Sequence, residues 1–376
     1  MKQAIGHNVK EARELAGFSQ EQFAERLGVS RATLSAVENG HVTIDSSKLL
    51  LAARILGRPV GDFFREGKEA LALMYRAAVD MMAPSSVRLQ FERFCKAYRE
   101  LEEIVGVADS LLPPPDYTYT PGVHSKPLQF AMQVASSERD RLGLGPLEPI
   151  ENIFRLLDDH GIKIFHTPIE DHEVYGLSAF SPEYGACILV NALNTVERQI
   201  FSLAHEYGHA LMHRSFYKSL EPTSGLPKDH DLELMANQFA ACLLVPEAGL
   251  REAHLRDVGD KEIGVEDIVH LKWLFRVSAE VMVRRLSELS LILKSEAQRL
   301  LGEIEKHCEP KKEFAPLSED LIRNWESNSR FLHLLKRAAL GGMLSLGKLA
   351  ELMDTTLIEA KSKIQAWRKE ISFAQA

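Results

Sequence analysis

The stretch SLAHEYGHALMH, residues 202–213, contains the spacing His-Glu-x-x-His. On a helix, positions i and i+4 share a face. His205 and His209 can therefore grip one cation, with Glu206 beside them to take a proton from an attacking water. The spacing also recurs by chance on ordinary helices, so a third ligand has to decide. His213 stands four residues beyond His209, but at a rise of about 1.5 Å per residue it lies roughly 12 Å along the axis from His205, too far to share an ion with it. It also falls two residues short of the third histidine in the longer His-Glu-x-x-His-x-x-Gly-x-x-His pattern. His213 reads as a supporting or structural side chain. Glu233 is the better candidate, in the first turn of the amphipathic segment DLELMANQFAACLLVP (231–246). Two histidines, a glutamate and an open position for water make a hydrolytic zinc site, in which the metal brings the pKa of water toward neutrality. The same ligands would accept manganese or iron. An oxyanion donor is also expected, and His213, Tyr217 and His230 are the candidates.

These residues need two helices held side by side. TVERQIFSLAHEYGHALMH (195–213) reads as the first helix and 231–246 as the second. Ahead of them, PIENIFRLLDDHGIKIFHTPI reads as a helix ended by Gly161 and then a strand, and EVYGLSAFSPEYGACILVNA as two strands around a turn at SPEYG. The expectation is a mostly α chain with a small antiparallel sheet, of the α+β class. FSLAHEYGHALMH followed by ELMANQFAACLLVP resembles the ImmA/IrrE family of zinc-dependent metallopeptidases, over roughly residues 128–290. The strand CILVN and Arg198 fit the stretch that leads into that family's motif helix. The resemblance implies a zincin-like domain with His205, His209 and Glu233 as ligands and Glu206 as general base. It further implies peptide-bond hydrolysis, often in a partner transcriptional repressor.

Residues 1–65 divide into short amphipathic helices with clear punctuation. Ser19 and Gln22 form a capping box, Gly28 suits a left-handed turn, and Ser30 caps the helix from Arg31 to Glu38. Two helices joined by a tight glycine turn, the second opening on short polar residues, suit docking in a DNA major groove. The segment SQEQFAERLGVSRATLSAVENG resembles the Cro-like (XRE) helix-turn-helix family over residues 3–65. By that resemblance Arg31, Ala32 and the face toward Ser35 and Ala36 meet base edges. Gln20, Thr33 and Asn39 hold phosphates beside the helix N-terminus capped by Ser30. A four-helix module that touches protein instead of DNA is the alternative.

The whole chain carries a net charge of −8, yet residues 1–65 hold nine Lys and Arg against seven acids. A weakly basic reader on an acidic body calls for a homodimer on a two-fold operator in double-stranded DNA. The four cysteines form no C-x-x-C pair and, with no signal-like or membrane-spanning apolar segment, point to a cytoplasmic protein without a membrane partner. The expected domains are 1–65 for the helix-turn-helix, 66–127 for a helical connector with the Pro-rich LLPPPDYTYTPGVHSKP, 128–295 for the peptidase-like domain and 296–376 for a helical tail. CEPKKEF (308–314) reads as a hinge. FRVSAEVMVRRL (275–286) and SLGKLAELMDTTLIEA (345–360) echo the first domain, as packing units or as further binding units. Two function classes stay open: a DNA-binding regulator with a working protease acting on a partner or on itself, and a non-proteolytic repressor or antitoxin that senses metal or holds a partner.

Overall fold

In the computed structural model of the protein the described residues are 2–56, 60–64, 85–108, 110–120, 123–124, 126–171, 174–214, 229–307 and 312–374. The helix expected over KEALALMYRAAVDMM (68–82), most of CEPKKEF and Tyr217 lie outside them. The chain divides into two compact units, one ending at Phe94 and one running from Cys95 onward.

The first unit holds α1 (Lys2–Leu15), α2 (Gln20–Leu27), α3 (Arg31–Glu38), α4 (Ser46–Ile55) and a short 3-10 turn, Val60–Phe64. Its punctuation is that of the sequence. Ser19 Oγ accepts from the Gln22 N–H at 3.2 Å while the Gln22 side chain accepts from the Ser19 N–H at 3.0 Å. Gly28 ends α2 at φ 66°, where a side chain would meet its own carbonyl. Ser30 then caps α3 through the Thr33 N–H at 3.0 Å. Val9, Phe23, Leu27, Leu34, Ala52 and Phe63 close one apolar core. Burying side chains of this size contributes about 1.5–3 kcal/mol each, which is how short helices of marginal intrinsic stability are held.

Helix α5 (Ser85–Val105) leads into the larger unit. There α6 (Pro127–Arg141) and α7 (Ile153–Asp159) precede strands β1 (Lys163–Thr167), β2 (Gly176–Ser181) and β3 (Gly185–Asn191). Next come α8 (Val196–Met212), α9 (Asp229–Leu244) and α10 (Glu247–Asp257), followed by α11 (Val265–Phe275), α12 (Ala279–Glu288) and α13 (Lys294–His307). Helices α14 (Asp320–Glu326), α15 (Arg330–Leu340), α16 (Leu346–Leu352) and α17 (Leu357–Ala374) complete the chain.

The sheet corrects one expectation, for it is mixed and not simply antiparallel. Its order is β1-β3-β2, with β2 antiparallel and β1 parallel to β3. The cause lies in the apolar run Cys187–Val190, which is buried throughout. Such a run suits a central strand with both edges paired. The SPEYG turn folds β2 onto one edge, and the other edge is left to β1.

The Pro-rich stretch is an extended strap and belongs to the larger unit. The N–H groups of Tyr117 and Tyr119 donate to the carbonyls of Leu211 and Met212 at 3.0 and 2.9 Å, and Arg214 donates to the Pro114 carbonyl at 2.8 Å. The two tyrosine bonds satisfy carbonyls that the C-terminal turn of α8 leaves open. The described end of the expected hinge is likewise pinned. Buried Lys272 pairs with buried Glu197 at 2.9 Å and donates to the carbonyls of Phe314 and Ala315 at 2.7 and 2.8 Å.

Among the described residues the helix-turn-helix geometry occurs three times. Arg276 (φ 56°) and Asp354 (φ 47°) take the left-handed turn that Gly28 takes in the first copy. Ser278 caps α12 through the Val281 N–H at 3.1 Å, and Thr356 caps α17 through the Glu359 N–H at 3.3 Å, as Ser30 caps α3. Four residues after each cap an inward side chain is buried: Leu34, Met282 and Ala360.

Candidate metal centre

Helices α8 and α9 lie against each other, and one glycine sets how close they come. A Cβ on Gly208 would stand 2.8 Å from the Phe239 ring, so any larger residue there would push the helices apart. Tyr207, whose ring packs edge-on against the same Phe239, reaches the buried carboxylate of Glu138 on α6, and Arg141 donates to the Tyr207 hydroxyl at 2.7 Å. Helix α12 supports α9 from its far end. Arg285 donates to the Val245 carbonyl at 3.1 Å and Gln238 to Glu288 at 2.5 Å.

This scaffold brings three donors together. His205 Nε2 lies 3.1 Å from His209 Nε2 and 3.2 Å from Glu233 Oε2, and His209 Nε2 lies 3.3 Å from Glu233 Oε1. Each imidazole has its other nitrogen engaged behind it. His205 Nδ1 faces Asn237 Oδ1 at 2.9 Å, and His209 Nδ1 faces His213 Nδ1 at 2.8 Å. The Asn237 contact selects the tautomer with its proton on Nδ1, which turns the Nε2 lone pair of His205 toward the carboxylate. Lone pairs and a carboxylate converging on one point are satisfied by a cation. Tetrahedral ligands about 2.0–2.1 Å from zinc stand roughly 3.4 Å apart, close to the separations here. Among the described residues His205, His209 and Glu233 are the one His, Cys, Asp and Glu group with this convergence.

The electrostatics agree. Burial works against charge on Glu233, but hydrogen bonding to His205 and His209 outweighs it and holds the carboxyl well below the usual carboxylate range. Burial also opposes charge on His205, yet Glu233, the neighbouring charge of Glu206 and Asn237 raise its pKa above the ordinary value. A site of this sign attracts protons or a metal ion in competition.

Glu206 is buried on the sheet side of α8. Ser178 of β2 donates to its Oε2 at 2.6 Å. Two residues earlier on the same face of the strand, a Cβ on Gly176 would stand 3.0 Å from Glu206 Cγ. Glycine there makes the room in which the carboxylate lies, and Ser178 fixes its direction.

Of the remaining candidates, His213 is fully buried behind His209, on the side away from Glu233. His230 falls in the first turn of α9 with its side chain outside the description. Residues that sequence reading missed are Asn237, Ser178, Gly176 and Gly208. Only Asn237 carried a signal, because it sits four residues after Glu233 on the same helical face.

In the first unit Arg31, Ala32, Thr33 and Asn39 are exposed on and after α3, and Ser35 is half-buried. The Ser30 and Thr33 hydroxyls bond each other at 2.8 Å, and Asn39 donates to the Ser35 carbonyl at 2.8 Å. Gln20 donates to Glu38 at 2.7 Å, and that buried carboxylate also takes Arg13 at 2.5 Å.

Comparison with known families agrees with both resemblances. Residues 157–287 match the family model of the IrrE N-terminal-like domain (peptidase family M78), and residues 9–63 match a helix-turn-helix family model. The chain thus joins a DNA-binding helix-turn-helix to an IrrE/ImmA-like peptidase-family domain. No curated protein gives a match. Among solved structures, PlcR of Bacillus thuringiensis in complex with the peptide PapR7 and DNA is 12% identical, over 99% of this chain and 97% of that one, with a TM-score of 0.18. ComR of Streptococcus vestibularis in its apo form, and ComR of Streptococcus suis, are each 12% identical. They cover 87% and 100% of this chain and 98% and 96% of theirs, with TM-scores of 0.17 and 0.16. Scores this low carry no argument about fold or function. Among the described residues no helix is long and apolar enough to cross a membrane.

Proposed function

We propose that this chain is a transcriptional regulator that binds an operator in double-stranded DNA as a homodimer in the cytoplasm and hydrolyses a peptide bond, in a partner repressor or in itself, at a zinc-dependent centre. The observation that carries this reading is the convergence of His205 Nε2, His209 Nε2 and the Glu233 carboxylate, with Glu206 held beside them by Ser178. Domain limits near residues 65, 127 and 295 go with this reading.

A bound zinc ion would supply Lewis acidity, polarising the scissile carbonyl and lowering the pKa of water. His205, His209 and Glu233 would hold it, with Asn237 and His213 fixing the two imidazole rings from behind. The Glu206 carboxylate takes the proton of the attacking water and returns it to the leaving amine. Ser178 holds that carboxylate in place, and burial of α8 keeps bulk solvent from it. Manganese or iron would fit the same donors.

The test is elemental analysis of the purified full chain, followed by a cleavage assay on the chain itself and on any repressor that co-purifies. About one zinc per chain is expected in the wild type, largely lost in Glu233→Ala. Glu206→Gln should keep the metal and lose at least about 100-fold in cleavage rate. A chain without metal even after zinc is supplied would overturn the reading. A Glu206→Gln chain that regulates normally would favour the other function, a repressor or antitoxin whose peptidase-like domain senses metal or holds a partner.

A further inference from the structure

The three helix-turn-helix copies differ in what their second helix presents. On α12 the positions matching Arg31 and Ser35 are Ala279 and Val283, both buried, so that copy is a packing unit. On α17 the corresponding positions, Leu357 and Lys361, are exposed, and so are Ile358, Ser362, Gln365, Arg368 and Lys369. At about 100° per residue these seven fall within an arc of roughly 140°. Lys361, Arg368 and Lys369 make that arc basic, and no acid lies in it. The opposite face seats Ala360 and Trp367 in the packing of α15–α17.

We propose that α16 and α17 form a second duplex-DNA-binding element, with α17 as the helix that enters the major groove. The scaffold is that of α2 and α3: a capped first helix, a left-handed turn, and a capped second helix with its next inward residue buried. Ser345 caps α16 through the Lys348 N–H at 3.1 Å, as Ser19 caps α2. The buried pair Phe23 and Ala24 corresponds to Leu349 and Ala350. Charge complementarity selects the ligand. Residues 329–376 hold eight Lys and Arg against four acids, a larger excess than in residues 1–65 and on a chain of net −8. Lys361, Arg368 and Lys369 suit phosphates. Leu357 at 55% exposure and Ile358 at 82% are solvent-facing apolar side chains at the base-reading positions, where they would meet thymine methyl groups.

The test measures binding of the full chain to an arbitrary 30-base-pair DNA duplex by fluorescence anisotropy across a salt series. Lys361→Ala/Arg368→Ala/Lys369→Ala should weaken binding about tenfold or more at low salt. It should also flatten the plot of log K against log salt by about 2–3, near 0.9 for each phosphate no longer neutralised. All three side chains are exposed, and unchanged helical circular dichroism and melting temperature would show that the fold is kept. Lys363→Ala, on another face of α17, should leave the slope unchanged. Arg31→Ala reports the first copy separately. Wild type that binds no duplex, or a triple variant with the wild-type affinity and slope, overturns the proposal. Equal losses from the triple variant and Lys363→Ala overturn it too, since they would show a bulk charge effect and no docked face.

Discussion

Helix pairs α2–α3 and α11–α12 are built to one plan and put to opposite uses. Both turn through a left-handed residue, both cap the second helix with serine, and both bury the residue four positions later. In the first pair the outer face of α3 stays open, with Arg31, Ala32 and Thr33 exposed. In the second, Ala279 and Val283 are buried, and Arg285 and Glu288 tie α12 to the helix that carries Glu233. Where the first pair buries Ala24, the second buries Lys272, whose ammonium pins the distant segment at Phe314 and Ala315. The motif is therefore a way of crossing two helices, and its function is set by the residues facing outward. A sequence echo of the turn alone does not distinguish a reader from a brace.

The sharpest way to break this contrast is to exchange outward residues. Val283→Lys should destabilise the larger unit by about 4–7 kcal/mol, the equivalent of the 3–5 unit pKa depression typical of a fully buried lysine. Ser35→Lys, at the matching position of the first pair, should stay within about 0.5 kcal/mol. Urea unfolding of both variants decides it, and equal small effects would mean that α12 is not a packing element. Next, Lys272→Ala should cost about 3–5 kcal/mol by leaving the buried Glu197 carboxylate without its cation. Lys272→Ala/Glu197→Ala should recover much of that loss, read from the same unfolding curves.

A smaller test uses the turns. Gly28→Ala should cost about 1 kcal/mol, because φ 66° strains any residue with a Cβ. Arg276→Gly should stabilise by about 0.5–1 kcal/mol for the same reason, and thermal melting should show the opposite signs.

The smallest effect concerns the third residue after each cap, which is Thr33, Val281 or Glu359. Side-chain hydrogen bonding from Thr355, with the N–H and hydroxyl of Thr356, lowers the Glu359 pKa to about 2. A carboxyl depressed from about 4.5 contributes stability above that pH and loses it as pH falls toward 2. The melting difference between wild type and Glu359→Gln should shrink over this window and vanish at its acid end.

Much of the candidate centre was legible because helical geometry carried it. The i, i+4 spacing puts His205 and His209 on one face whatever surrounds them, and the amphipathic pattern of the next helix singled out its first-turn glutamate. Ser178 and Gly176 were invisible for the opposite reason: a strand brings them to Glu206, and no local period links 176 or 178 to 206. The sheet shows the same limit. Periodicity located all three strands, but strand order depends on which of them the core covers on both faces, and the parallel β1–β3 pairing has no local signature. His213 reads as a supporting side chain and also stands among the oxyanion candidates; its ring lies tilted behind His209, Nδ1 to Nδ1, on the side away from Glu233.

The Pro-rich strap and the far C-terminal clasp also bear on how the protein is made. Tyr117 and Tyr119 bond to the end of a helix completed only near residue 212. Glu102 and Asp158 wait for Arg330, which donates to Glu102 at 2.5 Å and, through its N–H, to Asp158 at 2.7 Å. At ribosomal rates of about 5–20 residues per second, the strap emerges roughly 5–20 s before its partner. The first unit has closed its core once Phe63 is in place, so a nascent chain carries a folded helix-turn-helix well before the helices of the candidate metal centre exist.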